Sequence, residues 1–538
     1  MRESLRAFAS VFANRRLRRL QLAWAGSNVG AWAYTVAISV YAFGEDGPFA
    51  VGALGLVRWS LASVVAPLAG LLGDRYPRVR VMVASDLSWV ALLVAMAGLV
   101  AAGGPPLAVY ALAVVASLAA TPFRPAQAAL VPELARTPEE LTASNVTASS
   151  IEATGVFVGP ALGGILVAVA DVEVALLVTA ALFLWSAVFV LTVGEEPRPP
   201  VPGETRGLAS EAAAGFRTIL SEPRLRLLVG LFAAQTFVDG ALGVLVVVFA
   251  LETLDLGAQG VGFLNSAAGV GGIAGAVLAA ALVGRGRLAG DFGLGIVLWG
   301  LPLVVIGLWP EPAVALVALA LIGAGNTIVD VAGDTLLQRA VSDDVLARAF
   351  AALDSLLLLT VGLGAIAAPV LVETTSARAA AVIVGALLPI LAALSWRSLA
   401  AIDRAAAPPA EVGLLRSLPL FAPLPPATIE YLARRLERRY VAAGETVMRR
   451  GEPGEAFYVI ADGTMEVLLD GDRRELGPGE FFGEIALLRD VPRTATVVAK
   501  TNAELLGLSR DDFVNAVTGH AGASAVAEMF VRGRLSTL

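Results

Sequence analysis

Residues 481–497, FFGEIALLRDVPRTATV, bring together residue types that can bind an anion and a hydroxyl group. Gly483 and Glu484 begin a predicted short helix, GEIALL, and Arg493 returns towards its start. A helix N-terminus offers unpaired N–H groups to an anion, and an arginine supplies the opposite charge. Glu484 would repel a bare phosphate, but it can accept a hydrogen bond from a sugar hydroxyl. These residues therefore predict a site for a sugar phosphate such as a nucleotide.

Short strands and tight turns are expected to position this stretch. AFYVI and TMEVLL have the composition of strands, and six glycines between residues 444 and 479 separate such runs. This rhythm predicts a small antiparallel roll. Helices are predicted before the roll, over 425–439, and after it, over 509–518 and 521–535.

The stretch resembles the phosphate-binding cassette of cyclic-nucleotide-binding domains, as in protein kinase A regulatory subunits and the catabolite activator protein. The likeness extends over about residues 414–535. It implies that Gly483 and the N–H of Ala486 meet the phosphate, that Glu484 takes the ribose 2′-hydroxyl and that Arg493 pairs with the phosphate. It also implies that the last helix covers the purine, although Met529 and Phe530 could simply be helix packing. The expected nucleotide-binding residues are Gly483, Glu484, Ile485, Ala486, Arg493, Thr494, Met529, Phe530 and Arg532.

Two nucleotides fit this resemblance. The hydroxyl of Thr494 can reach a phosphate or the amino group of guanine, which favours cGMP slightly. Many domains that bind cAMP carry the same residue, so cAMP is the expected regulatory ligand and cGMP the alternative. No cofactor is expected.

The rest of the chain has a different composition. Of 538 residues, 57% are hydrophobic and 16% charged, and the mean hydropathy is +0.76. The last 120 residues, from Pro419, hold 31 charged residues, and the preceding 418 hold the other 54. Soluble domains carry about 25% charged residues, which only the last part matches. The chain is therefore expected to have a membrane part followed by a water-soluble domain.

Composition also excludes several classes of function. Cysteine is absent and His520 is the only histidine, which excludes disulfides, iron–sulfur clusters and histidine-based zinc sites or triads. A net charge of −7 gives no basic surface for nucleic acid. No pore loop of an ion channel and no Walker loop is apparent. An enzyme and a metal site are not expected.

About twelve apolar runs of roughly 20 residues, each long enough to span a bilayer, precede residue 402. The predicted fold is a polytopic α-helical membrane protein with two six-helix repeats, followed by a small β-roll domain with flanking helices. The expected segments are a six-helix half at 1–193, a cytoplasmic linker at 194–223, a second half at 224–402, a linker at 403–418 and the soluble domain at 419–538.

Arginine sets the expected orientation. Alternate loops and the N-terminal segment hold 20 arginines, whereas the loops between them hold only Arg378. The positive-inside rule then places both termini and the soluble domain in the cytoplasm, with the helices in the plasma membrane.

The two halves of the membrane part are related by an internal repeat. A shift of 205 residues superposes 131–167 on 336–372 without a gap and places Gly159 on Gly364. Six plus six helices in parallel repeat is the plan of many transporters, with a substrate path between the halves.

GLLGDRYPRVR, at 70–80, resembles the loop signature of the major facilitator superfamily. The resemblance implies a gating motif of Gly70, Asp74, Arg75 and Arg78, in which a carboxylate beside arginines at a helix end latches one conformation. Pro77 stands where the family usually has glycine, so the turn is expected to differ. Arg78 could also be a simple positive-inside anchor, which does not account for Asp74.

Two further motifs resemble those of proton-coupled drug exporters in this superfamily. RPAQ, at 124–127, is similar to their Arg-x-x-Gln signature, and GPALGG, at 159–164, to their antiporter motif. Small residues in the second motif also allow close helix packing. Export is expected, with import and a transporter-like sensor as alternatives.

Charged side chains inside spans are costly and are therefore functional candidates. Glu152 and Asp239 are the first candidates for proton carriers. The rival interpretation is that these groups lie in water-filled vestibules or pair structurally. The expected residues of the transport and proton path are Arg124, Gln127, Glu152, Asp239, Asp330 and Asp334, with Asp354 as a further embedded charge.

The sequence thus predicts a secondary transporter, a proton-coupled exporter of a small organic molecule, that a cytoplasmic cyclic nucleotide regulates. Its partners would be the nucleotide, the substrate, protons and the bilayer, and it would be a monomer or homodimer. The alternative is a membrane receptor with a transporter-like fold that does not transport.

Overall fold

The computed structural model describes residues 11–194, 217, 222–283, 287–340, 343–406, 411–469 and 472–535. The chain forms two compact units, Met1–Ala405 and Ala406–Leu538. The expected central linker at 194–223 lies largely outside the described residues.

The first unit is helical throughout its described part. Its helices are α1 (Arg15–Arg75), α2 (Arg78–Ala101), α3 (Pro106–Ala120), α4 (Phe123–Leu134), α5 (Pro138–Val193), α6 (Pro223–Val248), α7 (Gly257–Val283), α8 (Leu288–Leu308), α9 (Pro312–Ala340), α10 (Asp343–Thr374) and α11 (Ala377–Ala406). A short π-helix, Phe249–Thr253, extends α6.

Ten helices in the described part are long and apolar enough to cross a membrane. Two of them, with apolar stretches of 51 and 54 residues, belong to α1 and α5. At 1.5 Å per residue a 54-residue helix would measure about 80 Å, more than twice the hydrocarbon thickness of a bilayer. Both helices bend instead: α1 leaves helical geometry at Asp46 and Gly47, and α5 at Asp171 (φ 70°). Each therefore forms two legs, consistent with the predicted number of spans.

Packing within each half repeats with the offset of 205 residues seen in the sequence. A Cβ on Gly159 would lie 2.5 Å from Cβ of Trp32 and 2.8 Å from the carbonyl oxygen of Val29. Gly364 packs just as closely against the backbone of Phe237, which is Trp32 shifted by the same offset. In both halves the absence of a side chain lets two helices meet backbone to backbone.

The two halves touch through α5 with α7 and through α1 with α10. Gly52 lies against Ala365, and Gly269 lies against Phe157, whose carbonyl oxygen accepts a 2.7 Å hydrogen bond from Ser266 Oγ. These contacts all lie towards the end of the bundle where α1 bends at 46–47 and α5 bends at 171. The halves are therefore closely packed at the end that carries the arginine-poor loops.

The second unit is a roll of two antiparallel four-stranded sheets. Their orders are β1-β8-β3-β6 and β2-β7-β4-β5. The strands are β1 (Glu437–Val441), β2 (Thr446–Met448), β3 (Ala456–Asp462), β4 (Met465–Leu469), β5 (Asp472–Leu476), β6 (Phe481–Phe482), β7 (Thr496–Ala499) and β8 (Ala503–Ser509). The helices are α12 (Glu411–Ser417), α13 (Pro426–Arg435), α14 (Glu484–Arg489), α15 (Arg510–Thr518) and α16 (Ala521–Leu535).

Two apolar cores hold this unit together. Side chains from both sheets, including Met465 and Leu505, form one core inside the roll. The other lies between the outer helices and the first sheet, where the rings of Phe457 and Phe513 stack at 4.4 Å. Burial of such side chains contributes about 1.5–3 kcal/mol each.

Two predicted boundaries differ from the structure. The helix predicted over 425–439 ends at Arg435, because Glu437–Val441 pairs with β8 as a strand. The linker predicted over 403–418 contains α12, and Leu415 and Leu418 are buried in the core of the second unit. Residues 411–418 therefore belong to the folded domain.

Candidate functional site

A cavity of about 280 Å³ opens between β6, α14 and the second sheet. This volume is close to the lower end, about 300 Å³, of ligand pockets in proteins. Its lining residues are Met448, Val467, Leu469, Arg473, Arg474, Leu476, Phe482, Gly483, Glu484, Ile485, Ala486, Arg493, Thr494, Ala495 and Val497. The polar groups of the β6–α14 turn meet an apolar wall here.

Gly483 forms the turn between β6 and α14. Its φ is 92°, in the left-handed region that favours glycine. A Cβ at this position would lie 2.7 Å from Nη1 of Arg493 and 3.1 Å from the carbonyl oxygen of Ala456. Any other residue would therefore strain the backbone and push the arginine away.

Arg493 is fixed by backbone groups. Only 5% of the residue is exposed. Its Nη1 donates to the carbonyl oxygen of Gly483 at 2.9 Å, and its Nη2 donates to that of Ala456 at 2.7 Å. Burial lowers the pKa of Arg493, whereas nearby carboxylates such as Glu484 act in the opposite direction. Because arginine starts from a pKa above 12, the group remains a cation at neutral pH.

The six predicted residues of the cassette all line this cavity: Gly483, Glu484, Ile485, Ala486, Arg493 and Thr494. Glu484 is 1% exposed and Ala486 is 2% exposed. The first N–H groups of α14 have no acceptor within the helix, and Gly483 supplies no side-chain cap. A buried cation, free backbone donors and a buried carboxylate can together bind a phosphate beside a hydroxyl.

The three predicted residues of the last helix lie elsewhere. Met529 is 64% exposed, Phe530 packs on Phe481 with ring centroids 5.8 Å apart, and Arg532 pairs with Glu528 at 2.9 Å. None of them lines the cavity. The cavity wall from β4 and β5, in contrast, was missed by sequence reasoning, although the alternation in TMEVLL could have indicated which residues share its inner face.

In the first unit, Arg124 and Glu152 form a bidentate ion pair between α4 and α5. Nη1 lies 2.5 Å from Oε1 and Nη2 lies 3.0 Å from Oε2. The guanidinium also lies over the ring of Trp24, 5.6 Å from its centroid. Both partners are exposed, whereas the predicted Gln127 is 5% exposed. A proton on Glu152 would therefore have to displace an arginine.

The predicted acidic residues of the second half are also exposed: Asp239, Asp330, Asp334 and Asp354. Asp330 accepts a 2.9 Å hydrogen bond from Asn326, whose Oδ1 accepts from Trp299 at 3.0 Å and from Gln235 at 3.2 Å.

The charges of Asp239, Asp334 and Glu152 all act on Asp330. Acidic groups from both halves thus share one region of the bundle.

The predicted gating motif is described only in part. Residues 70–75 belong to the end of α1, but the side chains of Gly70, Asp74 and Arg75 lie outside the described part. Arg78, at the start of α2, forms an ion pair with Glu133 of α4. This contact holds a side chain that could otherwise be a simple anchor.

One embedded charge was missed by sequence reasoning. Arg58, in the second leg of α1, donates from Nε to Ser117 Oγ at 2.6 Å and lies 5.4 Å from the ring centroid of Tyr34. The single arginine in an apolar run was the available signal.

Comparison with known proteins agrees with this division. The family model for the Major Facilitator Superfamily matches residues 22–290, half of the chain, and that for the cyclic nucleotide-binding domain matches residues 438–520. A solved POT family transporter in complex with a thioalcohol-conjugated peptide is 11% identical with a TM-score of 0.59, covering 72% of this chain and 96% of that one. That likeness concerns the fold alone.

Curated relatives match only the second unit. A cyclic nucleotide-gated potassium channel of Mesorhizobium japonicum is 43% identical over 100 residues, which are 19% of this chain and 28% of the channel. A cAMP-dependent protein kinase regulatory subunit of Aspergillus fumigatus is 39% identical over 102 residues, 18% of this chain and 25% of the subunit. The chain thus spans little more than a quarter of these relatives.

Proposed function

Because this chain belongs to the Major Facilitator Superfamily and also carries a C-terminal cyclic nucleotide-binding domain, we propose that it is a secondary transporter regulated by a cyclic nucleotide. The observation that carries the regulatory part is the position of Arg493, a buried cation held by two backbone carbonyls beside Glu484. A group of this kind has no role in the transport bundle, so its anion must come from a ligand.

The transport part of the proposal is proton-coupled export of a small organic molecule. It is supported by RPAQ and GPALGG and by the acidic groups from both halves around Asp330. Asp239 and Asp330 are the proposed proton carriers, because Glu152 is already neutralised by Arg124. The helices would lie in the plasma membrane with the nucleotide domain in the cytoplasm.

Regulation requires the nucleotide to bind the conformations of the transporter unequally. A ligand shifts a conformational equilibrium only by its differential affinity, typically about 1–3 kcal/mol for allosteric coupling. The transported substrate must then change nucleotide affinity by the same factor. Binding would move α16 onto the cavity and act through residues 403–418 on α11.

Counterflow in proteoliposomes tests both parts on one preparation. A panel of labelled organic cations, anions and zwitterions would be tested with and without 1 mM cyclic nucleotide (about, on the order of saturation). The proposal expects exchange of at least one compound and a change of its rate on nucleotide addition. Nucleotide binding without any counterflow would identify a receptor instead. Counterflow that saturating nucleotide leaves unchanged would remove the regulatory part.

A further inference from the structure

The wall of the nucleotide cavity that faces the cassette contains one polar feature. Most of this wall is apolar, with Met448, Val467, Leu469, Leu476 and Val497 as its members. Arg473 and Arg474 of β5 border the same cavity. A phosphate already has Arg493, so a further cation at the apolar wall needs a different explanation.

Strand register shows which of these two arginines faces the cavity. Arg474 is paired directly with Val467 of β4, and Arg473 is paired with Leu468. Directly opposed residues of an antiparallel pair lie on the same face of the sheet. Because Val467 lines the cavity, Arg474 lies on the cavity face, whereas Arg473 lies on the other face beside Glu466, at 3.5 Å.

The guanidinium of Arg474 retains donors for a ligand. Its described carboxylate partner, Glu480, lies 4.0 Å away, at the outer limit of an ion pair. The side chain is 57% exposed, so it stays hydrated at the mouth of the cavity. An arginine carries five N–H donors in a planar fork, and one distant carboxylate cannot occupy them all.

The position of Arg474 bears on the base of the nucleotide, an argument that rests on the proposed function. With its phosphate at Arg493 and its ribose at Glu484, a nucleotide can place its purine only along the wall of β4 and β5. Guanine presents two adjacent acceptors there, O6 and N7, which match the fork of an arginine. Adenine presents the N6 amino group instead of O6, and that donor opposes a cation.

We propose that Arg474 recognises the O6–N7 edge of the purine and makes this cavity selective for cGMP over cAMP. Thr494, at the cassette end, adds a hydroxyl that can accept from the 2-amino group of guanine. The preference expected from the cassette sequence alone is thereby reversed, because that expectation did not include β5.

Competition binding on the full-length protein in detergent tests the proposal with three nucleotides. Cyclic IMP carries O6 and N7 but lacks the 2-amino group, so it separates the contribution of Arg474 from that of Thr494. The expected order of affinity is cGMP, then cyclic IMP, then cAMP. Cyclic IMP should bind about tenfold more tightly than cAMP, the lower end of what one bidentate contact contributes.

Two neighbouring substitutions provide a matched comparison. Arg474→Gln should weaken binding of cGMP and of cyclic IMP by about tenfold each, with cAMP changed less than about twofold. Arg473→Gln removes the same charge one residue away on the other face and should leave the order and spacing of the three affinities intact. Arg474→Lys keeps the charge but loses the planar fork, and should fall between Arg474→Gln and the wild type.

Several results would overturn this assignment. They are a wild type that binds cAMP as tightly as cyclic IMP, an equal loss for all three nucleotides in Arg474→Gln, and equal effects of the Arg473 and Arg474 substitutions. Absence of binding by every cyclic nucleotide would instead contradict the proposed function itself. A circular dichroism spectrum equal to that of the wild type shows that each variant is folded.

Discussion

Two arginines, one in each unit, illustrate opposite ways of holding a charge. Arg493 is buried and donates to the carbonyl oxygens of Gly483 and Ala456, at 2.9 and 2.7 Å. Arg124 is exposed and forms a bidentate pair with the carboxylate of Glu152. Backbone carbonyls orient the first guanidinium without neutralising it, whereas a carboxylate neutralises the second.

This difference determines what each site can respond to. An oriented and uncompensated cation in a small cavity favours an incoming anion, since a charge-assisted hydrogen bond is about twice as strong as a neutral one. A compensated pair has little attraction left for an anion, but a proton on Glu152 would release Arg124. The first site is suited to a charged ligand and the second to a change in protonation.

The largest effect is expected from removing the uncompensated cation. Arg493→Ala should weaken cyclic-nucleotide binding by about 1.5–3 kcal/mol, roughly 10- to 150-fold, the range for a hydrogen bond to a charged group. Isothermal titration calorimetry on the purified protein measures it. The control is Arg489→Ala, an exposed arginine of the same helix that does not line the cavity. Equal losses in both variants would mean that general electrostatics, and not the cradle, binds the nucleotide.

The turn that orients Arg493 should give the next largest effect. Gly483→Ala places a side chain in the left-handed region and 2.7 Å from Nη1 of Arg493. We expect a loss of about 1–2 kcal/mol in the free energy of unfolding of this unit, measured by urea titration, together with weaker nucleotide binding. Gly477→Ala is the control, because a Cβ there would meet nothing within 4 Å. The account of the cradle fails if the two substitutions have the same effect.

The compensated pair should show a small effect on stability but a clear one on coupling. Glu152→Gln mimics the protonated carboxyl, and an exposed ion pair contributes only about 0.2–1 kcal/mol to stability. We expect substrate flux in proteoliposomes to lose part of its dependence on an imposed pH gradient, and Asp239→Asn to act in the same direction. Glu45→Gln, in the exposed bend of α1, serves as control. Flux that ignores the gradient already in the wild type would argue for uniport.

The smallest effect on affinity is expected at an ion-pair cluster far from the cavity. Arg438 of β1 pairs with Glu411 of α12 and with Glu504 of β8, the latter at 2.8 Å. Arg438→Ala should change nucleotide affinity less than about twofold, because exposed pairs contribute little. It should nevertheless reduce the change in flux that nucleotide causes, since α12 follows the last membrane helix. Arg439→Ala, whose partner Glu445 lies near the same strand, is the control. Equal nucleotide responses in both variants would exclude α12 as the connection.

The same cluster predicts a dependence on acid. A backbone hydrogen bond at Glu411 and then its contact with Arg438 lower the pKa of Glu411 below its ordinary value of 4.5. A group whose pKa is lower in the folded state stabilises that state above its unfolded pKa and loses the effect as the pH falls through the folded value. Unfolding of the second unit should therefore become easier below about pH 4.5, and less so in Glu411→Gln. Urea titration between pH 3 and 7 (about one unfolded-to-folded titration range) measures the difference.

Local patterns in the sequence predicted the nucleotide cradle because its parts are close along the chain. Gly483, Glu484 and Arg493 lie within eleven residues, so one helix start and one turn determine their arrangement. The apolar runs likewise predicted a helical bundle, since the bilayer admits few other structures. The repeat was also visible in the sequence, and Gly159 and Gly364 do pack equivalently.

The tertiary structure alone decided which distant side chains meet. Arg124 meets Glu152 across 28 residues, and Asn326 joins Asp330, Trp299 and Gln235 from three helices. Arg474 faces the cavity, and Arg473 does not, only through the pairing of β5 with β4. Local sequence sets the period of a helix or strand, but its rotation and register depend on the partner against which it packs. That partner is known only when the whole chain has folded.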